Sequence, residues 1–283
     1  MTDTVHGASA IKPRDLPDWM LSHGSAFATT ADVARLLGVP TNEVAAIASR
    51  WRANGQAFSP APGTYVPIPS QYRSSGAVPA SDFVDQLMNH LEHPYYVGYL
   101  SSAEIHGAVD LPPPVFQIVT TARLDGRELG NIRLAFINSM TCTGKAVDLV
   151  NTPNGTMRVA TPETTVLDLV GAPRYGGGLS NVASVIVKLV ENDGLNVSAL
   201  AQVAQLYPSS VVQRTGWMIE HAANSVGTSL DLARLEEVAG RRIERTILST
   251  TGPRRGRANK RWRVVVNTVV QFGPSSRERE FGG

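Results

Sequence analysis

The feature that most narrows what this chain can fold into is the punctuation of residues 29–68. Thr29-Thr30-Ala31-Asp32 opens a helix as a loose capping box, a threonine followed three residues later by an acid. Gly38 ends that helix, because glycine accepts the left-handed conformation that a C′ position demands. Val39-Pro40 forms a turn and Thr41 is placed to cap the next helix. Val44, Ile47, Ala48 and Trp51 then recur at i, i+3, i+4 and i+7, one apolar helical face. Beyond Asn54-Gly55, two short extended segments flank a Pro60-Ala61-Pro62-Gly63 tip, the pattern of a small hairpin. Short capped helix, tight turn, amphipathic helix and hairpin, in that order, predict a winged helix-turn-helix over residues 15–68.

The second of these helices has a face that its core does not use. Thr41, Asn42, Ala45, Ala46, Ser49, Arg50 and Arg52 lie there. Small residues let a backbone approach the major groove, asparagine pairs bidentately with adenine and arginine with guanine. The amides at Thr41 and Asn42 can also receive a phosphate. On the hairpin, Ser59 and Thr64 are the residues expected to touch DNA backbone or minor groove, which positions rather than specifies. The implied partner is double-stranded DNA. A three-helix structural module with no DNA contact is the other reading of the same pattern.

Bulk charge does not announce that partner, since the 283 residues net only +2. Its distribution is uneven. Between Arg241 and Arg263 stand nine basic residues and one acid, Glu244. A segment so biased attracts polyanions, and Arg254, Arg255, Arg257, Lys260 and Arg261 are expected to meet nucleic-acid phosphates. A solvated basic loop or a contact with an acidic protein surface fits the same residues. The lone Cys142 permits neither an intramolecular disulfide nor a thiolate zinc site. The opening Met-Thr-Asp-Thr-Val-His has no signal-peptide character, and no apolar run reaches the length of a membrane span. The expectation is a soluble, cytoplasmic protein with no membrane partner.

The fold class expected is α+β, a winged helix-turn-helix followed by a larger mixed α/β domain. Residues 1–14 read as a flexible lead-in, 69–80 as a Pro/Gly/Ser-rich linker, 81–272 as the second domain and 273–283 as a disordered tail. In the second domain Ser81 is expected to cap a helix. Strands are expected over 116–121, 132–137, 146–150 and 156–160, the last two joined by an Asn154-Gly155 turn with positive φ at both positions. Thr161-Pro162-Glu163 starts a helix with cap, proline and first-turn acid in favourable places. Helices follow over 180–191, 198–206, 209–221 and 230–241, and 262–270 is strand-like and placed to return to the sheet.

Enzyme signatures fail on inspection. Thr143-Gly144-Lys145-Ala146 lacks the upstream glycine of a phosphate loop, where Ser139 stands, and Ala146 takes the place of the magnesium-binding hydroxyl. There is no G-x-S-x-G and no H-E-x-x-H. Asp148, Glu163 and Asp168 suggest a metal nuclease only weakly, since no lysine follows at the usual spacing. No catalytic residue, metal site or cofactor is expected.

Four stretches together give a resemblance. They are Phe27-Ala-Thr-Thr-Ala-Asp-Val-Ala-Arg-Leu-Leu-Gly-Val, the hairpin end Gly63-Thr-Tyr-Val-Pro-Ile-Pro, Tyr95-Tyr-Val-Gly-Tyr-Leu-Ser-Ser-Ala-Glu-Ile-His-Gly, and Met157-Arg-Val-Ala-Thr-Pro-Glu-Thr-Thr-Val-Leu-Asp-Leu-Val. With them the chain resembles the AbiEi-type antitoxins of bacterial type IV toxin–antitoxin systems. The resemblance implies a repressor of its own operon, bound at inverted repeats in its promoter. It also implies an antitoxin opposing a nucleotidyltransferase-like toxin, directly or indirectly. The alternative is a protein-interaction module that neutralises a toxin, with DNA binding secondary.

Overall fold

Among the described residues, side-chain caps at Thr29, Thr161 and Asn196 open three of the α-helices. The computed structural model describes residues 11–241 and 244–273. In chain order the elements are α1 (Leu16–Ser22), β1 (Ala28–Thr29), α2 (Thr30–Leu37), α3 (Thr41–Ala53), β2 (Ala57–Phe58), β3 (Thr64–Pro67), α4 (Val84–His90), β4 (Tyr95–Val97), α5 (Tyr99–Ile105), β5 (Phe116–Thr120), β6 (Arg127–Leu129), β7 (Ile132–Asn138), β8 (Val147–Thr152) and β9 (Gly155–Ala160). They continue with α6 (Pro162–Gly171), α7 (Leu179–Glu191), α8 (Val197–Val203), α9 (Ser209–Ser225), α10 (Ala233–Gly240), β10 (Thr246–Ile247), β11 (Arg257–Asn259) and β12 (Val264–Val266). The protein is a mixed α+β fold. No helix among the described residues is long and apolar enough to cross a membrane.

Two compact units interleave along the chain. Of the described residues, one holds those up to 94 with 124–136 and 150–157; the other holds 95–123, 137–149 and those from 158 onward. Of the expected lead-in, residues 1–10 lie outside the described residues, as do 274–283 of the expected tail. Pro13–Asp15 forms a 3-10 turn.

In the first unit, β1, β3 and β2 form a small antiparallel sheet in that order, with Ala28 opposite Tyr65 and Phe58 opposite Val66. Helices α1, α2 and α3 share one core with it, built on Leu16, Met20, Val33, Val44, Ile47 and Trp51. Trp51 fixes the arrangement at both ends. Its indole N–H donates to the Pro13 carbonyl at 2.8 Å, and its ring meets Tyr65 edge-on at 5.9 Å. Residues 69–80 carry a 3-10 turn at Ser70–Tyr72 and bury Ala77, Val78 and Ala80. Helix α4 starts at Val84 rather than at Ser81, because the Ser81 hydroxyl donates to the Asp82 carboxylate instead of capping. The β6–β7 hairpin turns through Gly130, whose φ of +55° and contact with Ser75 and Gly76 leave no room for a side chain.

The β8–β9 turn also departs from expectation. The two loop residues are Pro153 and Asn154, and only Gly155, with φ +132°, has a positive φ. Proline locks φ near −65°, which excludes the turn that needs positive φ at both central positions. Asn154 ties the turn down instead. Its amide donates to the Asp82 carbonyl, and its own carbonyl accepts from Gln86.

The second unit is organised on β4, which pairs antiparallel with β5 (Val97 opposite Ile118) and parallel with β9 (Val97 opposite Val159). Strand β4 is the element that alternation failed to reveal, because Tyr95, Tyr96 and Val97 are all buried and show no polar face. Helix α6 was expected to bury one side; the structure buries every residue from Glu163 to Val170. A helix enclosed on all sides shows no amphipathic period. It shares one large core with α7, α8, α9 and α10, in which Leu167, Leu169, Ile186, Leu200, Met218 and Leu235 are fully enclosed.

The segment 262–270 does not join that sheet. Only Val264–Val266 is extended, and it sits between β10 (parallel) and β11 (antiparallel) in a separate three-stranded sheet. Asn267 explains the stop. Its side chain accepts from the Ser249 amide and donates to the Ser249 and Pro253 carbonyls, taking over the partners a longer strand would have used.

Candidate nucleic-acid interface

Helix α3 is presented by the two turns around it. The Thr29 side chain accepts from the Asp32 amide, and Asp32 accepts from the amide and hydroxyl of Thr29. These bonds hold the Asp32 carboxyl below its ordinary value, with Arg35 adding to the effect against a burial penalty. Gly38 closes α2 at φ +67° and the Val39 amide bonds back to Ala34. The cap of α3 differs from expectation. Pro40, extended at ψ 146°, occupies the N-cap and Thr41 is already the first helical residue, with no side-chain cap. The amides of Thr41 and Asn42 therefore face outward from the first turn without an intrahelical partner.

Val44, Ile47, Ala48 and Trp51 are buried. Every residue expected on the reading face, Thr41, Asn42, Ala45, Ala46, Ser49, Arg50 and Arg52, is exposed. Among the described residues Arg50 and Arg52 make no ion pair. Their charge is uncompensated, and the two alanines keep the surface between them low.

The hairpin residues lie differently. Ser59 is half-buried and its hydroxyl donates to the Ala61 carbonyl at 2.7 Å. Thr64 is fully buried; its hydroxyl donates to that same carbonyl and accepts from the Ala61 amide. Both brace the β2–β3 tip from inside, and the Arg127 guanidinium caps the Pro60 carbonyl there. Pro62 is the exposed residue of the tip.

In the second unit the basic segment divides in two. Arg254, Arg255, Arg257 and Lys260 are exposed and, among the described residues, make no ion pair. Arg261 is committed: it bridges Glu236 of α10 and Glu220 of α9, while Glu220 also accepts the Trp262 indole N–H at 2.9 Å. Trp262 is fully buried against Gly216 of α9, where a Cβ would run into the indole ring. Of the expected phosphate contacts, Arg261 is thus a structural cation and the other four form an open basic edge.

A polar cluster inside the second unit escaped sequence reasoning. Asp168 on α6 accepts hydrogen bonds from Tyr96 (2.7 Å) and Tyr207 (2.8 Å). The Lys145 ammonium lies 3.2 Å from the centre of the Tyr207 ring. Burial raises the Asp168 carboxyl above its ordinary value although both tyrosines and Lys145 oppose it. Burial likewise lowers Lys145 and pushes the Cys142 thiol up to about 11. A thiol so placed is a poor nucleophile. Glu163 accepts from the Asn196 amide, starting the loop into α8. Among the described residues no three His, Cys, Asp or Glu side chains gather as a metal ion would require. Only the aspartate's placement amid a run of apolar helix residues hinted at this cluster.

Residues 96–221 match the family described as the AbiEi antitoxin C-terminal domain. That stretch contains nearly all of the two later of the four stretches on which the resemblance rests. No curated protein matches the chain. Among solved structures, the RV2827C protein from Mycobacterium tuberculosis shares the fold, with a TM-score of 0.64 at 15% identity, covering 93% of this chain and 95% of that one.

Proposed function

We propose that the protein is an antitoxin that also represses its own operon, a reading supported by the match of residues 96–221 to the family described as the AbiEi antitoxin C-terminal domain. In this reading residues 15–68 are a winged helix-turn-helix and α3 enters the major groove of double-stranded DNA at inverted repeats in the promoter. The toxin opposed is nucleotidyltransferase-like, and the pair works in the cytoplasm. The observation that carries the DNA-binding part is the α3 surface. Its core side is fully buried, and its outer side offers Asn42, Arg50 and Arg52 across a floor of Ala45, Ala46 and Ser49.

The test is a gel shift on the protein's own promoter. Arg50→Ala should weaken operator binding by about 1–3 kcal/mol and relax specificity at one base position. An unchanged shift removes α3 from the mechanism. An Arg50→Ala/Arg52→Ala double variant, co-expressed with a nucleotidyltransferase-like toxin, separates the two roles. Rescue of growth by an Arg50→Ala/Arg52→Ala protein that no longer represses makes neutralisation independent of DNA binding. That outcome favours the interaction-module reading, in which DNA binding is secondary.

A further inference from the structure

Between α9 and the β11–β12 hairpin lies a cavity of about 400 Å³. Trp217 and His221 line it from the helix; Arg257, Asn259, Lys260 and Val266 line it from the hairpin. We propose that this cavity binds a nucleoside phosphate, with the phosphate held by Arg257 and Lys260 and the nucleoside against the Trp217–His221–Val266 wall.

Charge selects the anion. Glu220 and Glu236 both close on Arg261. Arg257 and Lys260 are left without a counter-ion among the described residues. A guanidinium fork beside an ammonium matches phosphate oxygens well, the one by directed paired hydrogen bonds and the other as a compact charge. Volume argues for more than a bare phosphate, since 400 Å³ falls in the range of small-molecule sites. The remaining wall is aromatic and aliphatic, suited to the flat and carbon-rich part of a nucleoside.

The wall is rigid. The His221 ring lies 4.0 Å from Trp217 and 5.8 Å from Phe272, centroid to centroid. Its Nδ1 bonds the Trp217 carbonyl at 2.8 Å. A carbonyl only accepts, so Nδ1 carries the proton and Nε2 is the nitrogen left to meet a ligand's hydroxyl or amine. The hairpin is also fixed: Asn259 accepts from the Trp262 amide, and Gly256 lies so close to the Val266 and Asn267 backbone that no side chain fits. A site preformed in this way loses little freedom on binding. Its residues are separate from α3, so the proposal stands whether or not α3 reads DNA.

The ligand chemistry has two sources, a free nucleotide or a nucleotide unit of a nucleic-acid strand. The experiment titrates the full chain with AMP, GMP, CMP and UMP, with adenosine and with inorganic phosphate, following heat and tryptophan fluorescence. At least one nucleotide should bind ten-fold or more tightly than adenosine or phosphate. Arg257→Gln/Lys260→Gln should weaken it at least ten-fold with an unchanged Tm. Arg254→Gln/Arg255→Gln, outside the cavity, should leave nucleotide affinity unchanged. Competition by a single-stranded oligonucleotide at comparable concentration assigns the site to a strand; a lack of competition, with nucleotide still bound, assigns it to the free nucleotide. No binding of any nucleotide or oligonucleotide overturns the proposal, as does binding that the Arg257/Lys260 variant does not weaken.

Discussion

The Tyr96 hydroxyl donates to the Asp168 carboxylate at 2.7 Å, linking two of the stretches on which the family resemblance rests. Two further bonds join the same stretches. Ser102 and Thr165 share a hydrogen bond of 2.8 Å, and His106 Nε2 donates to the Ala160 carbonyl at 2.7 Å. The motif residues are therefore recognisable because they fasten α5 and β4 to α6 and β9. Their chemistry is that of burial: a carboxylate, three hydroxyls and an imidazole each need a partner once water is removed.

Tyr96→Phe should expose how much that link matters. Removing the hydroxyl leaves a buried carboxylate with one donor fewer, a loss of about 1.5–3 kcal/mol for a hydrogen bond to a charged group. Urea unfolding should show a lower midpoint with the slope unchanged. An unaltered midpoint would show that Tyr207 alone satisfies Asp168.

Asp168 and Asp32 should respond to pH in opposite directions. Asp168 has a raised folded value, so its contribution to stability is full below the ordinary carboxylate value near 3.8 and is lost as pH rises through the folded value. Asp32 has a lowered value, so its contribution is present above 3.8 and fades as pH falls through the folded value. Carboxyl chemical shifts followed through an acid titration should place Asp32 below 3.8 and Asp168 above it. In Thr29→Ala the Asp32 midpoint should move back up, and the loss of the cap should cost about 1 kcal/mol.

Gly216→Ala should destabilise the second unit by about 1–3 kcal/mol through overpacking, because the new methyl meets the rigid indole of Trp262. A shift in tryptophan emission should accompany the lower Tm. An unperturbed Tm would mean that β12 yields to the helix without cost.

Salt dependence separates the two kinds of cation in the basic segment. If Arg254 and Arg255 each neutralise a phosphate, Arg254→Glu/Arg255→Glu should flatten the plot of log K against log salt by about 0.9 for each phosphate no longer neutralised. Arg261→Gln should instead lower Tm by opening the bridges to Glu220 and Glu236. An unchanged slope in the double variant would leave the basic edge as a solvated loop or a contact for an acidic protein surface.

Local chemistry made much of the first unit legible. The Thr29–Asp32 box, the Gly38 stop and the Val44–Trp51 face are interactions among near neighbours, so their residue spacing carries the information. The same holds for Thr161 at the start of α6. Tertiary structure decided what spacing cannot express. Thr64 looks like any hairpin hydroxyl until the turn folds over it and buries it. Arg261 reads as one basic residue among nine until α9 and α10 bring Glu220 and Glu236 to it. Tyr96, Lys145, Asp168 and Tyr207 stand far apart in sequence, and only packing removes the water that would otherwise screen them. Sequence by itself thus determined the capped starts of α2 and α6, the Gly38 stop and which helix face of α3 stays bare. Which polar groups are enclosed, paired or left open depends on long-range burial, because solvation is a property of the whole fold rather than of any segment.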